Sequence, residues 1–222
     1  MAPPHTPPLL EATDLACRRG GRPVFGGLSL FLEAGVLLAL TGPNGSGKTT
    51  LLRALALLVP LEAGVVRWQG NDVAADRESW RGRIAWLGHL DGLKGDLTVR
   101  ENLLIAERLR GGDGIRVDAA LATFDLTGLA ARAVRTLSAG QRRRTALARV
   151  VASGAALWLL DEPLNALDAS AQTALRGALT VHLASGGLAI AATHTPLDLP
   201  DREPPGSLMT LDLSAPGGAR SA

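Results

Sequence analysis

Eight residues of this chain, Gly42-Pro43-Asn44-Gly45-Ser46-Gly47-Lys48-Thr49, keep the spacing G-x-x-x-x-G-K-[ST], and that spacing suits one chemistry, the holding of a nucleotide's phosphates. Gly42, Gly45 and Gly47 let the chain turn sharply and aim successive N–H groups at phosphate oxygens. In such a loop Lys48 reaches the β- and γ-phosphates, and the hydroxyl of Thr49 serves Mg²⁺. A helix is expected from Thr49 through Thr50 to about Leu58, with its positive N-terminal end toward the bound anion. Ahead of the loop, the apolar segment Val36–Leu40 reads as the buried strand that such a loop requires.

Three further places carry chemical side chains. Asp161 and Glu162 follow an apolar run, Leu157–Leu160, so their carboxylates are expected at the C-terminal edge of a central parallel strand. Alone, Asp161-Glu162-Pro163 also reads as a polar turn; with a phosphate loop upstream, Asp161 reads as a magnesium ligand. Ser138 and Gln141 are spaced as a helix-capping box. The helix they open carries Arg142, Arg143, Arg144 and Arg149, each read as part of a solvated face, and its start offers free N–H groups to an anion. His194 follows the apolar segment Leu188–Thr193, placing it at the same sheet edge as Asp161. His182 and His5 lack such a context and read as structural.

The order of these segments, with Leu137-Ser138-Ala139-Gly140-Gln141 and Ala166-Leu167-Asp168 among them, resembles the nucleotide-binding subunits of ABC-type ATPases from about Leu10 to His194. The resemblance implies an α/β fold of the P-loop NTPase class. A mostly parallel core sheet is then joined by a small antiparallel β-subdomain and a helical subdomain. It implies that Glu162 acts as general base on the attacking water and that His194 contacts the γ-phosphate and steadies Glu162. Ser138 and Gly140 would face the ATP of a second copy, so a working site needs a homodimer, and Gln141 and Asp168 are counted with the nucleotide-binding residues. ATP and Mg²⁺ are the implied ligands.

Three positions depart from the family pattern. Where a glutamine usually stands near the magnesium ion and the hinge to the helical subdomain, the segment Arg83–His89 places His89. That histidine is expected to work as a neutral hinge residue; haem ligation is its rival role. The aromatic residue that usually stacks on adenine aligns near Arg19, whose guanidinium plane can stack on a base instead. Ala139 also replaces the usual glycine of the signature, a methyl group that a helix start tolerates. Trp86-Leu87-Gly88-His89 and the arginine-rich helix in so short a chain resemble the branch of ABC subunits serving haem export in cytochrome c maturation. That resemblance implies haem handled by partner chains. The alternatives are a transporter subunit for another substrate, or a soluble ABC-type ATPase of repair or translation.

Composition sets the outer bounds. In 222 residues, 46% are apolar and 20% charged, a globular balance, and no apolar run reaches the ~18 residues that span a bilayer. Any transport pathway must then come from a partner chain; the resemblance implies integral membrane subunits as those partners and a peripheral place for this chain on the cytoplasmic face of the bacterial inner membrane. A net charge of +2 is too small to argue for nucleic acid, and a single cysteine, Cys17, fits a reducing compartment. Three segments are expected: a flexible Pro-rich tail over residues 1–8, an ATPase domain over 9–200 with its helical part at about 90–150, and a strand-like piece with a tail over 201–222. An antiparallel sheet is expected from Leu9–Phe31 together with Val65–Gln69, turning at Gly70-Asn71-Asp72.

Overall fold

The computed structural model describes residues 9–199 and 208–214; the expected tails at 1–8 and after 214 lie outside the described residues. Strands β1 (Leu10–Arg19) and β2 (Arg22–Leu32) form a long antiparallel hairpin. Next come β3 (Leu37–Thr41), α1 (Lys48–Leu55), β4 (Ala63–Trp68) and the two-residue β5 (Asn71–Asp72). The order β2-β1-β4-β5 makes the small antiparallel sheet. Its last turn sits one step earlier than expected, at Gln69-Gly70, where φ is 50° and 79°. Two successive positive φ values match the twist of paired strands, which leaves Asn71 and Asp72 free to pair with Trp68 and Arg67.

After α2 (Arg77–Arg83) and β6 (Ile84–Leu87), the chain adds α3 (Val99–Arg108), α4 (Ile115–Thr123), α5 (Ala139–Ala152), β7 (Leu157–Asp161), α6 (Ala169–Ala184), β8 (Leu188–Ala192) and β9 (Leu208–Asp212). The core sheet runs β6-β7-β8-β3-β9, all parallel. Both of its faces are covered, so its inner strands are apolar throughout. In β7, Leu157 and Leu159 face the antiparallel sheet and α1, while Trp158 and Leu160 face the helices. This two-residue alternation points one polar end, Asp161, out of the sheet's C-terminal edge.

Three boundaries differ from the sequence reading. The segment after residue 200 does not stand apart, because β9 pairs with β3 from Leu37↔Leu208 to Thr41↔Asp212. Without it, β3 would leave an open sheet edge directly before the phosphate loop. The helical part begins at Val99 rather than near 90, since Leu90–Leu97 carries no helix. The buried Asn102 pins that stretch instead: its Oδ1 accepts from the Lys94 N–H at 2.7 Å, and its Nδ2 donates to the Lys94 carbonyl at 3.0 Å. Helix α1 stops at Leu55, short of Leu58, because Leu57 turns to a φ of 55°.

Candidate functional site

A cleft of about 550 Å³ opens at the C-terminal edge of the core sheet. Asn44, Gly45, Ser46, Gly47, Lys48, Thr49 and Thr50 line it from the loop and α1. Asp161 and Glu162 enter from the end of β7, His194 from just past β8, His89 from just past β6 and Arg19 from the end of β1. Four of these five segments converge because the parallel strands β3, β6, β7 and β8 deliver their C-terminal ends to one edge; Arg19 reaches it from the antiparallel sheet. Gly42 and Pro43 are not on the lining; their carbonyls accept from Lys48 Nζ at 2.7 and 3.1 Å. Gly47, the N-cap of α1, has φ 101°, and a Cβ there would lie 2.8 Å from Val24 Cγ1. Strand β2 therefore presses on the loop at a point where only glycine fits.

Charge is concentrated at the centre. Thr49 Oγ1 lies 3.0 Å from each Asp161 carboxylate oxygen, and Asp161 is only 6% exposed. Together they offer one hydroxyl and one carboxylate. Mg²⁺ sites in nucleotide enzymes use such a small protein share and complete their octahedron with phosphate oxygens and water, so the donor set fits that ion. His194 Nε2 is 2.9 Å from Asn44 Oδ1 and 3.5 Å from both Lys48 Nζ and Glu162 Oε1. Glu162 takes a φ of 47°, a left-handed backbone that costs a β-carbon-bearing residue of order 1–3 kcal/mol and points to an imposed geometry. His89 is exposed on the same cleft.

The remaining sequence-selected residues lie outside this cleft. Ser138 caps α5 with a reciprocal box: its Oγ accepts from Gln141 N–H at 3.2 Å, and its own N–H donates to Gln141 Oε1 at 3.0 Å. Gly140 follows in the first turn of that helix, where a Cβ would sit 3.6 Å from the Ala166 carbonyl. Asp168 caps α6, its carboxylate accepting from the Ala171 N–H at 2.8 Å. Within one chain Asp168 is thus engaged with its own helix rather than with the cleft.

Sequence reading overlooked three residues. Val24 and Arg53 both line the cleft. Arg53 stands four residues beyond Thr49 on α1, so helical spacing alone places the two on one face. Arg143, read as solvated, is 6% exposed and makes four contacts to loops around the site. Nothing in its run of neighbouring arginines distinguishes it.

This cleft and its capped helix define the class. The family model for ABC transporters matches residues 25–165, and the chain belongs to that family, as an ATP-binding ATPase of the ABC class. Its curated relatives are more particular. It is 45% identical over 219 residues to the cytochrome c biogenesis ATP-binding export protein CcmA of Rhodospirillum rubrum, covering 99% of this chain and 92% of that one. The protein of the same name from Salmonella typhi is 46% identical, covering 85% of this chain and 91% of the relative. Among solved structures, the dimeric post-hydrolysis state of the ATP-binding cassette MJ0796 bound to ADP and Pi superposes with a TM-score of 0.78. It is 21% identical, covers 96% of this chain and 97% of that chain, and supports the fold.

Proposed function

We propose that this chain is the ATP-hydrolysing subunit of a membrane exporter in cytochrome c biogenesis, and that its partners handle haem. The observation that carries the ATPase half is the cleft where Lys48, Thr49, Asp161, Glu162 and His194 meet. The exporter half rests on 45% identity along almost the whole chain to a relative named for cytochrome c biogenesis and export. No helix among the described residues is long and apolar enough to cross a membrane, so in this reading a membrane partner supplies the pathway.

The residues divide the work. The N–H groups of the loop, the positive end of α1 and the Lys48 ammonium hold the phosphates and orient the γ-phosphoryl group. Thr49 and Asp161 would hold Mg²⁺, which would supply positive charge against the phosphate oxygens. Glu162 takes a proton from water as the water oxygen bonds to the γ-phosphorus and the bond to the ADP oxygen breaks. His194, beside both Glu162 and Lys48, fixes the carboxylate and contacts the γ-phosphate. Arg19 packs its guanidinium against the base, and His89 links the nucleotide to the partner-facing hinge. Ser138 and Gly140 lie outside the cleft of their own chain. In a homodimer they face the phosphates bound by the other copy, which closes each site from both sides.

The test is made in a host cell lacking this gene. Restoring the wild-type chain should restore c-type cytochromes, and restoring Lys48→Ala should not. Isolation of the tagged chain from membranes should bring integral membrane proteins with it. Normal c-type cytochromes in the Lys48→Ala cells would reject the reading.

A further inference from the structure

The side chain of Arg143 joins three parts of the site through one buried group. Its Nη1 donates to the Gly88 carbonyl at 3.0 Å and lies 3.4 Å from an Asp91 carboxylate oxygen. Its Nη2 donates to the carbonyls of Asp161, at 3.0 Å, and Glu162, at 2.6 Å. Gly88 and Asp91 bracket His89, while Asp161 and Glu162 carry the magnesium and water chemistry of the proposed function, on which this inference rests. Arg143 itself sits in the second turn of α5, the helix that Ser138 opens.

A guanidinium so placed does more than fill space. It is 6% exposed, and its Nε finds no partner among the described residues, so burial costs it hydration that only the two Nη groups offset. The planar fork reaches in two directions at once, which a lysine ammonium, a point charge on a flexible stem, does not do. On one side the fork fixes the carbonyl of Glu162, the residue with the left-handed φ of 47°. On the other it fixes the loop that carries His89. Arg149, on the same helix, binds that loop again, donating to the carbonyls of Trp86, Asp91 and Gly92 at 3.2, 3.1 and 2.9 Å. Arg149 thus ties the loop to α5, and Arg143 ties the Glu162 backbone to the same helix.

We propose that Arg143 is a positioning residue for hydrolysis: it sets the direction of the Glu162 carboxylate and ties that direction to the placement of α5 and the His89 loop. Nucleotide affinity comes from Lys48 and the loop N–H groups, which Arg143 does not touch. Turnover depends on the aim of Glu162, and a misplacement of ~1 Å costs on the order of a hundredfold in rate.

The test uses the full chain carrying Arg143→Lys or Arg143→Gln, at concentrations that allow pairing, with Glu162→Gln as a reference. Steady-state hydrolysis gives kcat and KM, equilibrium titration gives MgATP affinity, and thermal unfolding gives the folded fraction. Both variants are expected to keep MgATP affinity within about threefold while kcat falls roughly ten- to hundredfold, with Arg143→Lys no better than partly active. A kcat within twofold of the parent in either folded variant overturns the proposal. Equal losses of kcat and affinity, or failure of both variants to fold, also overturn it and leave Arg143 a packing role. Should Glu162→Gln itself turn over at the parent rate, the general-base reading fails instead, and the two failures are told apart.

Discussion

Two clefts lie at opposite ends of strands β7 and β8, and the two have opposite characters. At their C-terminal edge lies the 550 Å³ cleft of Lys48, Asp161, Glu162 and His194. Near their start lies a larger one, about 750 Å³, lined by Ala155, Trp158, Ala174, Ala178, Val181 and His182 among others. The apolar cleft holds one histidine, His182, and the polar cleft two, His89 and His194. His182 stacks on Trp158 with centroids 4.0 Å apart and planes 9° apart, and its Nε2 meets the Leu188 carbonyl at 3.1 Å. His194 is half exposed and shares its Nε2 among Asn44, Lys48 and Glu162. Size does not locate the chemistry. Convergence of charged groups and helix N-termini does, and a parallel sheet gathers these at one edge.

The contrast can be broken most forcefully from the polar side. Glu162→Gln should lower hydrolysis by about a hundredfold or more while retaining MgATP binding, because in the proposed function the carboxylate acts in the chemical step. Lys48→Ala should instead weaken MgATP binding, because the ammonium neutralises phosphate charge already in the ground state. Glu162→Gln, which keeps the side chain's shape, should change unfolding stability by no more than ~0.5 kcal/mol, whereas Lys48→Ala removes a buried side chain bonded to the Gly42 and Pro43 carbonyls and should cost ~1–3 kcal/mol. Hydrolysis rates, nucleotide titration and denaturant melts decide this, and hydrolysis by Glu162→Gln at the parent rate sinks the assignment.

Ser138 sharpens the comparison, since it belongs to neither cleft of its own chain. Ser138→Arg homodimers should be inactive through steric block of the other copy's site. Mixed with Lys48→Ala chains, they should recover partial hydrolysis in the heterodimer that keeps one intact pair of halves. An active Ser138→Arg homodimer contradicts the shared site.

A smaller effect is expected at His89. Its replacement by glutamine, another neutral donor and acceptor, should preserve both hydrolysis and cytochrome c assembly. His89→Ala should keep basal hydrolysis yet reduce stimulation by the membrane partners by about fivefold, a modest coupling energy. Equal stimulation of both variants would remove His89 from the coupling.

The apolar cleft should answer in stability alone. A Cβ at Gly187 would run into the His182 ring, so Gly187→Ala should cost ~1–3 kcal/mol and leave hydrolysis unchanged. Burial holds the His182 imidazole below its usual range, opposed by the hydrogen bond to Leu188. As pH falls below ~6.5, the unfolded chain takes up a proton that the folded chain refuses, so stability declines until the folded-state pKa is passed. His182→Phe should flatten that slope, which melts at pH 5 and 7.5 would detect. An unchanged slope would mean that other groups cause it.

The phosphate loop, the Ser138–Gln141 box and the polar end of β7 were legible because their information is local. A glycine spacing, a capping pair or an apolar run ending in Asp161 keeps its meaning wherever the segment lies. The edge pairing of β9 was not legible as sheet, since Leu208–Asp212 carries no sign of which strand it will join. Arg143 shows the same limit more sharply: it is one arginine among several, and periodicity gives its helix but not its neighbours. Only the packing of α5 against the ends of β6 and β7 puts four acceptors around one guanidinium. The sequence alone thus determined the chemical groups and the strand–loop–helix units that present them. The tertiary structure decided which units share an edge, because sheet order and burial arise from contacts between segments far apart in the chain.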